Sequence, residues 1–115
     1  MTAVSTQEIS EVTARWRANS RQILPGFGGR SNIGADIRVM AKAFQDRNPK
    51  RIVENLERVG WSIVWRGQGA FGREPIDEMM PPVAAAWSIF SEGFDLAIQM
   101  GIKKPVNPLL ISALK

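Results

Sequence analysis

A chain of 115 residues with 44% hydrophobic and 23% charged side chains suffices for one domain, residues 1–115, around a single core, and argues against wholesale disorder. It has no Cys and no His, which removes disulfides, thiolate nucleophiles and Cys- or His-ligated metal centres, and leaves most hydrolase, transferase and metalloenzyme mechanisms without their usual groups. The net charge of +4 is uneven: Arg38, Lys42, Arg47, Lys50, Arg51, Arg58, Arg66 and Arg73 crowd the middle third against only Asp36, Asp46, Glu54 and Glu57. Such a field attracts a polyanion, although helix surfaces are also laced with cations for solvation alone.

The first residues, MTAVSTQEISEV, lack the basic start and apolar run of a secretory signal. The most apolar window, Pro82 to Ile102, contains Glu92 and Asp95, a poor composition for a membrane span. A cytoplasmic protein of a bacterium, or of a virus infecting one, is the expectation from composition.

In chain order, Ser5-Thr6-Gln7-Glu8 has the spacing of a capping box. It opens a helix expected to run to about Leu24, with Ile9, Val12, Trp16 and Ile23 on one face, Asn19 breaking that face, and Pro25 ending it. The loop over 25–32, PGFGGRSN, is glycine-rich but lacks the Lys, the spacing and the preceding strand of a phosphate loop; it reads as a helix–helix connector. A second helix is predicted from Ser31 or Asn32 to about Asp46, burying Ile33, Ile37, Met40, Ala41 and Phe44.

Asn48 suits an N-cap and Pro49 the first helical position, so a third helix starts after a very short turn. Its apolar face is Ile52, Val53, Leu56 and Val59, and Gly60 is expected to stop it. Trp61-Ser62-Ile63-Val64-Trp65 is rich in β-branched and aromatic residues and reads as a strand. A glycine-rich tip over Arg66 to Arg73 and an edge strand over Phe71 to Ile76 would complete a hairpin. Gly67, Gly69 and Gly72 spell G-x-G-x-x-G, but no βαβ unit surrounds them, so a turn is the better account.

Beyond Asp77 and Glu78, adjacent carboxylates with no third acid at a helpful spacing for a cation, a fourth helix resumes at Pro82. Val83, Trp87, Phe90, Phe94 and Ile98 form its expected buried stripe. Gly93 within it suggests close approach of a neighbour, Gly101 is the expected stop, and Lys103 and Lys104 suit the negative helix end. Asn107-Pro108 opens a last short helix through Leu109, Leu110, Ile111 and Leu114, apolar enough to dock on the domain or to cover a second subunit; self-docking is favoured because so small a chain needs the buried area.

The expected architecture is therefore mainly α, a compact bundle of about five helices with a short β-hairpin or wing-like turn around residues 61–76. Over residues 33–76 this layout resembles a winged helix-turn-helix module. Leu56-Glu57-Arg58-Val59-Gly60-Trp61-Ser62-Ile63 looks like the end of a groove-entering helix passing into the first wing strand, and Arg66 to Arg73 looks like the wing tip. The resemblance implies that Lys50, Arg51 and Asn55, with Arg47 beside them, face duplex DNA from the third helix, and that Arg66, Gln68 and Arg73 meet the backbone or minor groove from the wing. The helix before the turn is longer than in such modules, and Glu54 and Glu57 would repel phosphates.

Two functions follow: a DNA-binding regulator, or a protein–protein interaction module such as an adaptor, inhibitor or assembly factor of a virus or mobile element. The second draws on four Trp, five Met and the apolar C-terminus, with self-association through Leu109, Leu110 and Leu114 as one form. Neither requires catalytic residues, a metal or a cofactor, and neither involves a membrane.

Overall fold

The computed structural model describes residues 4–21, 33–67 and 81–114. They form five helices: α1 (Thr6–Ser20), α2 (Ile33–Gln45), α3 (Pro49–Gly67), α4 (Pro81–Gln99) and α5 (Pro108–Leu114). No strand occurs among the described residues.

Side-chain oxygens mark three of the helix starts. Ser5 Oγ accepts from the Glu8 N–H at 3.1 Å, Asn48 Oδ1 from the Arg51 N–H at 3.3 Å, and Asn107 Oδ1 from the Leu109 N–H at 2.9 Å. Each satisfies a donor that the first helical turn leaves without an intrahelical partner. The N–H of Asn107 donates in turn to Glu57 Oε1 on α3, at 2.9 Å. A side chain from a distant helix thus completes the cap of α5.

Two helices end alike. Gly101 N–H donates to Ile98 O at 3.0 Å and Ile102 N–H to Ala97 O at 3.0 Å, with Gly101 at φ 89°. Arg47 N–H donates to Phe44 O at 3.1 Å and Asn48 N–H to Ala43 O at 3.3 Å, with Arg47 at φ 51°. Both are the paired back-bonds of a left-handed cap. The glycine takes that conformation freely, whereas arginine pays roughly 1–2 kcal/mol for it.

Helices α1 to α4 run antiparallel to their neighbours in the chain. Arg38 Nη1 near the start of α2 donates to Ser20 Oγ at the end of α1, and Gln45 Nε2 at the end of α2 donates back to Thr13 Oγ1. Ser62 Oγ late in α3 donates to Asp36 early in α2, and Gly93 of α4 lies beside Leu56 of α3. Trp16 sits edge-on to Phe44 with ring centroids 5.3 Å apart, and both are fully buried in a core to which all five helices contribute. Ile33, Ile37, Met40, Ala41 and Phe44 are buried as their spacing predicts, as are Ile52, Leu56 and Val59.

Three expectations fail. Gly60 does not stop α3, and residues 61–67 are its last two turns rather than a wing strand. Gly60 lies inside the core instead: a Cβ there would stand 2.6 Å from Leu110 Cδ2 and 3.0 Å from Phe90 Cε2. The missing side chain lets α4 and α5 close on α3, and Ile63 and Val64 are buried by the continued helix; tertiary burial outweighs the local β preference of that run. Gly67 of the G-x-G-x-x-G pattern is likewise helical. The expected return strand over 71–76, the loop over 25–32 and the continuation of α1 to Leu24 lie outside the described residues.

The third correction concerns α4. Ala86, Ile89, Phe90, Leu96 and Ala97 are buried, while Ile98 is 49% exposed. The inward face is turned by roughly a quarter of a revolution from the predicted stripe, since each residue advances about 100°. Alanines and Gly93 line the inward face, and a Cβ at Gly93 would meet Leu56 Cδ2 at 3.1 Å and Met40 Cε at 3.4 Å. Small residues permit this close approach, and the rings of Trp87 and Phe94 are displaced to the side while Phe90 stays buried.

Candidate functional site

The rotation of α4 creates the most distinctive surface. Trp87, Phe90 and Phe94 form a row of rings, with centroids 5.8 Å apart for Trp87–Phe90 and 6.5 Å for Phe90–Phe94. Together with Ser91 and Asp95 they form one side of a groove of about 400 Å³. Val106 and, from α5, Ile111 and Leu114 form the rest. Trp87, Phe94 and Leu114 are only half-buried, and Ile111 is 36% exposed.

The fold fixes both walls. Leu110 is fully buried and occupies the place that Gly60 leaves open. Ile111 and Leu114, one and four residues on, then point along the flank facing α4. Leu110 therefore belongs to the chain's own core, which corrects its expected role in self-association; the expected self-docking of the last segment is what the helix shows. Leu109 remains 70% exposed.

The surface is apolar, of a size suited to a few large side chains, and carries a single charged group, Asp95, among the described lining residues. Asp95 is exposed. Asp95 forms no ion pair with a described residue; the described pairs are Arg15 with Glu92 and Lys42 with Asp46. Such a surface can bury apolar side chains and orient them by one polar contact, and offers no nucleophile or acid–base pair for chemistry.

The candidate nucleic-acid residues are scattered by comparison. Lys50 and Arg51 are exposed in the first turn of α3. Glu54 is exposed one turn later, between Lys50 and Arg58, so this face alternates in sign. Asn55, expected on the exposed side, is 7% exposed and donates through Nδ2 to Arg51 O at 2.8 Å. The period of the apolar face places it there: Asn55 follows Ile52 by three and precedes Val59 by four. Arg47 donates to Val4 O at 2.7 Å, tying the end of α2 to the start of the described chain. Arg66 has its backbone in α3, and Gln68 and Arg73 lie outside the described residues.

Other cations join helices together. Arg17 donates to Gln45 at 2.8 Å, Arg38 to Ser20 at 3.3 Å, and Glu92 accepts from both Arg15 and the Trp16 indole. A smaller cleft of about 220 Å³ between Thr6, Ile9, Ser10, Gln45 and Arg47 sits where these links close α1 on α2. Among the described residues no group of three or more acidic side chains is placed to hold a metal ion, and no helix is long and apolar enough to cross a membrane.

Sequence reasoning missed the pairing of Trp87 and Phe94 with Ile111. The signal was present: Pro81–Gln99 is apolar around more than half its circumference, and such a helix has more surface than one contact face can cover. No family model matches the chain. No curated protein and no solved structure matches it either.

Proposed function

We propose that this protein is a non-enzymatic binding module whose α4/α5 groove takes up a segment of a partner protein. The observation that carries the proposal is the apolar groove of about 400 Å³ bounded by half-buried aromatic rings and the exposed Ile111. Aromatic anchors beside an apolar recess are characteristic of interface centres. The absence of Cys and His supports a role without catalysis, and a cytoplasmic setting belongs to the same proposal on composition. A photo-cross-linking amino acid at Ser91 tests it in extracts of the producing cells. A polypeptide adduct that disappears in Ile111→Arg is expected; an adduct pattern unchanged by that substitution rejects the groove as the site.

Binding of duplex DNA is the second reading, supported by the exposed Lys50 and Arg51 at the start of α3. It has lost the support of a wing strand at residues 61–65, and Glu54 and the buried Asn55 weaken the rest of that face. A low-salt gel shift with wild type and the Lys50→Glu, Arg51→Glu double variant separates the two readings. Binding that the double variant abolishes and added salt weakens steeply would favour DNA.

A further inference from the structure

Building on the groove reading, we infer that the partner segment is an amphipathic helix carrying a Lys or Arg beside its apolar stripe, which pairs with Asp95. Three observations lead there. First, Trp87 and Phe94 are seven residues apart on α4, roughly 10 Å along its axis. That is the length spanned by apolar side chains at i, i+3 or i+4, and i+7 of a docked helix. The exposed Ile98 continues the track by one more turn.

Second, the site is concave. Two copies of this chain meeting groove to groove would leave a void between them, since neither concave face fills the other. A convex rod of side chains from another protein fills the space, whereas a second copy does not.

Third, the charge is specific in sign. Asp95 is the charged group among the described lining residues and forms no ion pair within the described chain. An apolar segment alone would leave it beside a docked hydrophobic surface, losing hydration. A partner cation retains a favourable contact there and sets the direction in which the helix lies.

The test uses the full chain and three synthetic helical peptides of about five turns, with leucines along one face. They differ only in having Lys, Gln or Glu at one position flanking that face, and carry a fluorescent label for anisotropy titration at low salt. The expected order of affinity is Lys, then Gln, then Glu, with about threefold to tenfold between the extremes. The spread should vanish in Asp95→Asn and reverse in Asp95→Lys, both at an exposed position.

Equal affinity for the three peptides in wild type, with loss of binding in Ile111→Arg, overturns the pairing with Asp95 and leaves the groove reading standing. No binding of any peptide, or binding unchanged in both Ile111→Arg and Phe94→Arg, overturns the groove reading itself. Light scattering that shows a dimer dissociated by Ile111→Arg makes a second copy the occupant and overturns the inference.

Discussion

Helices α2 and α4 use their apolar residues differently. On α2 the aliphatic and aromatic side chains fall on one face apart from Val39, which is 49% exposed, and Ile33, Ile37, Met40, Ala41, Ala43 and Phe44 are all buried between its neighbours. On α4 the inward face mixes Ala86, Gly93 and Ala97 with Ile89, Phe90 and Leu96, while Trp87 and Phe94 are half-buried and Ile98 is exposed. The α2 face is exhausted by the chain's own fold; α4 has an apolar surplus directed at the groove. The proposed function rests on this apolar surplus rather than on net charge.

The contrast is sharpest in stability. Phe44→Ala should cost about 3–5 kcal/mol in urea unfolding, because it removes a fully buried ring from contact with Trp16. Phe94→Ala should cost only about 1–2 kcal/mol, since the half-buried ring gains less from folding. Equal losses at the two positions would break the comparison by making the groove an ordinary part of the core.

The glycines facing α3 and α4 give a finer test. Gly60→Ala should destabilise by about 1 kcal/mol net, as overpacking against the buried Leu110 and Phe90 exceeds the gain in helix propensity. Gly93→Ala should stay within about 0.5 kcal/mol, because the flexible Met40 end and Leu56 are less crowded and the same propensity gain offsets them. Thermal melts of the two variants should therefore separate, with Gly60→Ala the lower.

Ile98→Gln, at a 49% exposed position, should change stability by less than about 0.5 kcal/mol while weakening capture of a helical peptide. The smallest effect is expected at Asp36, the acid on α2 that faces α3. Burial raises its pKa above the ordinary 3.8, opposed by the nearby Arg58 guanidinium and the Ser62 hydroxyl. With the folded pKa above the unfolded one, its contribution is complete below the unfolded pKa and is lost as pH rises through the folded value. Asp36→Asn should thus raise the melting temperature more at pH 7 than at pH 4, and an equal shift at both would dismiss this account.

Much of the bundle was legible in short stretches of chain. Ser5, Asn48-Pro49 and Asn107-Pro108 announce helix starts because a side-chain oxygen or a ring lacking an N–H answers the same local need wherever it occurs. Gly101 ends a helix through its own backbone freedom, and the face of α2 follows from a 3.6-residue period. The groove was less legible because two apolar stripes compete on α4, and periodicity cannot say which of them faces inward.

Sequence alone determined where three helices begin, which side of α2 is buried, and that Cys and His chemistry is absent. Only the tertiary structure decided that Gly60 continues a helix, that α4 turns Ala86, Gly93 and Ala97 inward, and that Leu110 completes the core while Ile111 is left at the groove. The physical reason is that a cap or a helical period is settled by neighbours a few residues away, whereas the fate of Gly60 and of the rings on α4 depends on what packs against them from α5, some fifty and twenty residues further along the chain.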